Sequence, residues 1–166
     1  MQNDHWLNAI KDLNKSNITF HMLNTAGLIS YPDMQYNMVR AGIGIYGLMP
    51  DLPPECVNKP NLRQAMSLKG RIAFISDVPE GSGVSYGYSY VTNKPVTKIA
   101  TIPVGYADGV SRSLSNKIYG LINGKKVKQV GNITMDQMMF DVSDIENIAV
   151  GDVITLLGED SGKIIS

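Results

Sequence analysis

One cysteine in 166 residues, Cys56, excludes an internal disulfide, and nothing around it has the spacing of a metal-binding cluster. A reducing compartment suits such a chain, and the expected location is cytoplasmic. Charge of one sign is also missing. Fifteen basic and fifteen acidic residues cancel to a formal net charge of zero, which leaves no electrostatic footprint for nucleic acid or an anionic membrane. No apolar run approaches the ~20 residues of a membrane span, and Met1 to Asn8 lacks the charged start and apolar stretch of a secretion signal. The chain reads as soluble, with no nucleic acid or membrane partner expected for this segment. Its 43% hydrophobic content suffices for a packed core.

Trp6, Leu7, Ile10 and Leu13 recur at helical spacing, with Asp4 placed to cap the start and Asn14 to Asn17 breaking the pattern. Ile18 to Leu23 reads as a short strand, followed by Asn24-Thr25-Ala26-Gly27 and a small helix. Met38 to Tyr46 reads as a second buried strand running into a glycine-rich loop. This first part is α/β in style, with too few elements to cover both faces of a sheet or close a barrel. It is expected to be the end of a larger α/β domain, and the whole chain an internal fragment of a longer protein.

The prolines between Leu48 and Pro60 mark a linker, and the expected division is 1–58 and 59–166. Beyond it come strand-like runs at Met66 to Val78, Tyr86 to Val91, Val96 to Pro103, Lys117 to Ile122, Lys125 to Val130, Met138 to Val142 and Asp152 to Leu157. Asn123-Gly124 between two of them signals a type I′ hairpin. The second part is expected to be mainly β, a small barrel or sandwich. Lys125-Lys126-Val127-Lys128 is expected to be a solvated strand face.

Chemistry-bearing candidates fall in both parts. Thr25 sits between a predicted strand and helix, where free N–H groups could hold an anion; it could equally be an ordinary helix cap. Gly42 and Ile43 open a second such loop, and two loops converging would suit a phosphate. Arg40 lies in an apolar run, so it either faces a ligand or reaches solvent. His21 fits a hydrogen-bonded core histidine. Tyr86, Tyr88, Tyr90 and Tyr106 could simply cover a sheet face, but Tyr86 stands out because Gly81, Gly83 and Gly87 leave open backbone around it. A phenol acts as a base near neutral pH only beside a cation or strong donor, and no neighbour in sequence supplies one. Met135-Asp136-Gln137 follows a turn at Gly131, so its amides could receive a carboxylate; core filling by Met135 is the plainer alternative.

The segments Asn24-Thr25-Ala26-Gly27, Met38 to Gly47, Val84-Ser85-Tyr86-Gly87, Thr101 to Gly109 and Met135-Asp136-Gln137 occur in one order. In that order the chain resembles the C-terminal half of the pyridoxal-phosphate-dependent alanine racemases, from about Thr19 onward. The resemblance implies the end of an N-terminal (β/α)8 barrel followed by a C-terminal β domain, in a homodimer with shared active sites. It implies interconversion of L- and D-alanine by two-base proton transfer, with an amino acid as substrate and pyridoxal 5'-phosphate as cofactor. Thr25, Gly42 and Ile43 would cradle the cofactor phosphate, Arg40 would face its pyridine nitrogen, and His21 would hydrogen-bond Arg40. Tyr86 would be one of the two proton-transfer groups, Tyr106 would line the substrate entrance, and the Met135 amide would bind the substrate carboxylate. Thr25 stands where serine is more usual, and Thr134 where a cysteine often precedes the methionine. The cofactor-bearing lysine and a further phosphate-binding tyrosine have no counterpart in this sequence, so the chain alone is expected to be inactive. A serine or broad-specificity racemase of the same fold, and a non-catalytic β module for binding or dimerisation, are the alternative readings.

Overall fold

The computed structural model describes residues 2–13, 16–57 and 59–166, which form two compact units, Met1–Ala65 and Met66–Ser166. The linker prolines predict a division at 58/59. The units part at 65/66 because the Ala65 amide still donates to the Tyr46 carbonyl, 3.0 Å, which ties the end of the linker to the first unit.

In the first unit helix α1 spans Gln2–Ala9 and helix α2 Thr25–Ser30. Asp4 lies inside α1 and does not cap it. The apolar spacing overshoots the helix, since Ile10 and Leu13 sit in turns beyond Ala9. Trp6 settles the helix instead by packing edge-on to Phe20 at 5.7 Å and tilted against Tyr36 at 4.4 Å. Asn14 falls outside the described residues.

The two expected strands of this unit reduce to one parallel bridge, His21 with Met38. Two backbone bonds flank it, Asn37 N–H to Phe20 O (3.2 Å) and Arg40 N–H to Leu23 O (2.9 Å). Two lone parallel segments do not sustain a sheet; strands of this kind need partners on both edges and helices on both faces. Met38, Ile43, Ile45 and Tyr46 are accordingly exposed rather than buried, and Ile43–Tyr46 coils into a 3-10 turn.

The second unit consists of antiparallel strands. They are β1 (Leu68–Arg71), β2 (Phe74–Pro79), β3 (Gly83–Val84), β4 (Tyr90–Val91), β5 (Val96–Ile102), β6 (Tyr119–Ile122), β7 (Lys125–Val130), β8 (Met138–Asp141), β9 (Val153–Asp160) and β10 (Lys163–Ile165). The main sheet runs β1-β9-β6-β7-β8-β5-β2, with β10 added to β9. Its two outer strands, β1 and β2, are separated in sequence only by Ile72 and Ala73. Ile72 exchanges bonds with the β9 side, its amide to Asp152 O and its carbonyl from Gly151 N, both 2.8 Å, while the Ala73 amide donates to Thr101 O of β5 at 2.9 Å. One bent segment thus joins both edges and the sheet closes into a barrel, removing its open edges.

Alternation along the strands fills the interior. Ile72, Ala100, Ile102, Ile122, Met138, Phe140, Val142 and Ile154 belong to one buried core. Asn123 and Gly124 both take left-handed backbone, φ 49° and 71°, which is the type I′ turn joining β6 to β7. On β7 the side chains of Lys125, Lys126 and Lys128 are solvated while Val127 is buried. A hairpin the sequence reading missed follows β9, turning at Ser161-Gly162 (φ 49° and 79°) into β10.

The expected strand from Tyr86 to Val91 does not form. Ser85, Gly87 and Tyr88 all have positive φ (64°, 70°, 49°), which no strand accommodates. Tyr86–Tyr88 is a 3-10 turn, and only Tyr90–Val91 pairs, with Gly83–Val84. This small hairpin packs on the outside of the barrel, where Val84, Ile99 and Val130 form a second buried cluster against Val78, Tyr90 and Met139.

Candidate active site

The first unit carries one group of candidates. Asn24 is the cap of α2, its side chain accepting from the Gly27 amide at 3.0 Å. Thr25 is thereby released from capping and turned inward: it is buried, and its hydroxyl oxygen accepts from the amides of Gly42 (2.9 Å) and Gly44 (3.2 Å). Gly44 is needed for this approach, since a Cβ there would lie 2.7 Å from the Thr25 methyl. The two loops of the first unit are therefore drawn together around one hydroxyl.

A shallow recess of about 150 Å³ lies between them, bordered by Asn24, Thr25, Ala26, Arg40, Gly42 and Ile43. Thr25 accepts two bonds and so keeps its own proton for donation. Among the described residues the N–H groups of Ala26 and Ile43 have no acceptor. The Gly42 amide, by contrast, is spent on Thr25, so Gly42 can frame an anion but not donate to it. A hydroxyl proton and free amides make a donor set that fits a phosphate, with the Arg40 guanidinium at the recess's edge.

Arg40 is exposed and its Nη2 donates to the Met22 carbonyl at 3.2 Å. His21 is exposed as well and does not bond Arg40. The single bridge turns the His21 side chain to solvent, so neither a core histidine nor a partner for Arg40 is formed.

The second unit carries the other group. Tyr86 is 74% exposed in the β3–β4 connection, two residues after Val84, which belongs to the outer cluster. An open basin of about 750 Å³ is bordered by Ser85, Tyr86, Gly87, Tyr88, Thr134, Asp136, Gln137 and Met139. Two loops that stand 46 residues apart in sequence meet there. Among the described residues, Asp136 is the one charged residue on that border.

The turn holding Met135 closes through Thr134, whose amide and hydroxyl both donate to Gln137 O, at 2.9 and 3.0 Å. Behind it, the amides of Tyr106 and Ala107 donate to the carbonyls of Thr134 and Met135, each 2.9 Å. Gly105 permits this close stacking, since a Cβ there would fall 2.3 Å from Thr134 O. With its carbonyl satisfied from behind, Met135 has an N–H with no acceptor among the described residues. Its side chain is 58% exposed, so it does not fill the core; Met138, fully buried, does. Tyr106 is 41% exposed and adjoins the same turn through its backbone. The structure thus brings together Tyr86, Tyr106 and Met135 in one unit, and Thr25, Arg40, Gly42 and Ile43 in the other.

Sequence reasoning missed Ser85, Asn116, Gln129 and Asn132, which brace these loops. Gln129 is fully buried, its side chain accepting from the Asn116 amide (2.6 Å) and donating to the Gly131 carbonyl (2.9 Å). Asn116 in turn accepts from the Gly131 amide at 2.7 Å. A glutamine on a strand of otherwise alternating character was the only signal in the sequence.

A recess lined by hydrogen-bond donors on α/β scaffolding, followed by a closed β barrel with a tyrosine on the border of an open basin, defines a two-part α/β-plus-β architecture. The alanine racemase C-terminal domain matches residues 65–166 and the alanine racemase N-terminal domain residues 1–50. The alanine racemase of Methanococcus maripaludis is 44% identical over 171 residues, covering 100% of this chain and 44% of that protein. Alanine racemase 2 of Oceanobacillus iheyensis is 48% identical over 140 residues, covering 84% of this chain and 35% of its own length. Among solved structures, alanine racemase from Bacillus anthracis with bound L-Ala-P superposes with a TM-score of 0.84 at 34% identity, over 99% of this chain and 42% of that one. The chain belongs to the alanine racemase family. It spans well under half the length of these relatives. Among the described residues no helix is long and apolar enough to cross a membrane.

Proposed function

We propose that this chain is the part of a pyridoxal-phosphate-dependent alanine racemase that contributes an acid/base tyrosine, the substrate carboxylate site and part of the cofactor cradle. The observation carrying the reading is the shared basin of Tyr86 and the Met135 turn. A group able to give or take a proton borders that basin together with Thr134, Asp136 and Gln137 of the turn, and the Met135 N–H of the same turn is free to bind a carboxylate, the two needs of an enzyme that inverts an α-carbon.

Pyridoxal phosphate, when bound, withdraws electrons from the α-carbon of the amino acid it carries and so makes the α-proton removable. Thr25 and the free amides of Ala26 and Ile43 would hold its phosphate. Arg40 would face the pyridine nitrogen: a guanidinium donates a hydrogen bond but hardly yields a proton, so that nitrogen stays unprotonated and side reactions are disfavoured. Tyr86 Oη takes or returns the proton on one face of the α-carbon, while the Met135 amide fixes the substrate by its carboxylate. Tyr106 lines the approach. The second proton-transfer group is a lysine in the remainder of the enzyme.

The same reading extends to a homodimer. Tyr86 and Met135 sit on open surface, which a partner subunit's cofactor-bearing barrel would complete. In the full-length enzyme, Tyr86→Phe should lower kcat by about a thousandfold while leaving cofactor affinity unchanged. Retained racemisation would remove Tyr86 from the reaction, and loss of cofactor would make it structural.

A further inference from the structure

Tyr86 borders the basin with its side chain 74% exposed, so its backbone sets the point and direction from which the ring extends. That backbone is held from one residue. The Asn132 side-chain amide donates to the Tyr86 carbonyl at 2.6 Å, and the Asn132 main-chain carbonyl accepts from the Ser85 hydroxyl at 2.7 Å. Ser85 sits at φ 64°, a conformation costly for a residue with a Cβ. It persists because its hydroxyl is bonded in this way. Asn132 also lies three residues before Met135, on the segment braced by Gln129 and Asn116 through Gly131. Both sides of the Tyr86 peptide unit are thus referenced to the same segment that carries the carboxylate-binding amide.

We propose that Asn132, with Ser85 as its partner, is a positioning residue that sets the Tyr86 oxygen relative to the Met135 amide, and so governs proton transfer on one face of the α-carbon only. The inference rests on Tyr86 being an acid/base group of the racemase. Asn132→Asp keeps shape and main-chain carbonyl but replaces the donor to Tyr86 O with an acceptor, which repels it. Displacement of a reacting group by about 1 Å costs up to about a hundredfold in rate.

The test uses the full-length holoenzyme and α-deuterated L- and D-alanine. Asn132→Asp and Ser85→Ala should each lower kcat about ten- to a hundredfold with KM little changed. The primary isotope effect should rise only for the antipode whose α-proton faces Tyr86. Adding Tyr86→Phe to either variant should cause no loss beyond that of Tyr86→Phe alone. Wild-type kcat in both variants, or an isotope effect rising equally for both antipodes, would overturn the positioning role. If Asn132→Asp fails to fold, Ser85→Ala decides by the same readouts. Should Tyr86→Phe itself stay active, the racemase reading of Tyr86 fails, and the inference with it; an inactive Tyr86→Phe beside a fully active Asn132→Asp overturns the inference alone.

Discussion

The two units differ in what they complete by themselves. Residues 66–166 close a barrel, bury Phe140, Met138, Ile102 and Ile154 almost fully, and pair every strand with a described neighbour. The first unit holds two short helices and one parallel bridge, with Leu23 and Thr25 its buried residues among those described. Ile45 and Tyr46 stand 67% and 57% exposed. Antiparallel strands find partners through short turns, whereas parallel strands need crossovers and neighbours far along the chain. Antiparallel strands can therefore close within a hundred residues, whereas two parallel segments on their own leave their strands unpartnered. The candidate residues divide the same way, with Tyr86 and Met135 on the self-contained unit and Thr25, Arg40, Gly42 and Ile43 on the open one.

Truncation of the core tests that contrast most strongly. Phe140→Ala should destabilise the β domain by about 3–5 kcal/mol, seen as a lowered denaturation midpoint. Ile45→Ala in this chain should stay within about 0.5 kcal/mol. Equal losses would erase the difference between the units.

A smaller effect separates their chemistry. Thr25→Val keeps the shape but leaves the Gly42 and Gly44 amides without their acceptor, a cost of about 1–3 kcal/mol. In the full-length enzyme cofactor affinity should fall about tenfold or more while the β domain's denaturation midpoint holds. A shifted midpoint with unchanged cofactor affinity would detach Thr25 from the cradle.

The smallest effect is a pH dependence confined to the barrel. Burial works to raise the Asp141 carboxyl, but the hydroxyl and amide of Ser143 and the Lys94 ammonium at 3.3 Å together hold it below the ordinary aspartate range. A carboxyl depressed on folding contributes stability that is present above its unfolded value, about 4, and lost as pH falls through the folded one. Melting temperature should therefore drop on acidification from about pH 4 downward, and Asp141→Asn should flatten that limb. An unchanged acid limb in the variant would assign it to other carboxylates.

Parts of the fold were legible because their causes are local. Asn123-Gly124 demands left-handed backbone and so announces its hairpin, and alternating Met138 to Val142 announces a half-buried strand. The proline-rich linker was legible too, although the compact units part seven residues further on, where one backbone bond extends the first. Other readings failed for equally physical reasons. Met38 to Tyr46 has strand-like residues but one bridge, and Tyr86 to Val91 alternates like a strand but contains two positive-φ residues, Gly87 and Tyr88. Ordered motifs single out Tyr86, Met135, Thr25 and Arg40 as candidates, whereas the bond from Asn132 to the Tyr86 backbone cannot be read from the sequence, since an asparagine after a glycine looks like any turn.

The sequence by itself determined the family, the mainly β character of residues 66–166 and the candidate residues, because motif order and side-chain period are properties of the chain read in line. Only the tertiary structure decided that β1 and β2 close the barrel through Ile72 and Ala73, that Thr25 faces inward because Asn24 caps the helix, and that Asn132 grips the Tyr86 backbone. Each of these is a hydrogen bond between residues remote in sequence or competing for one role, and such choices are made by the folded backbone.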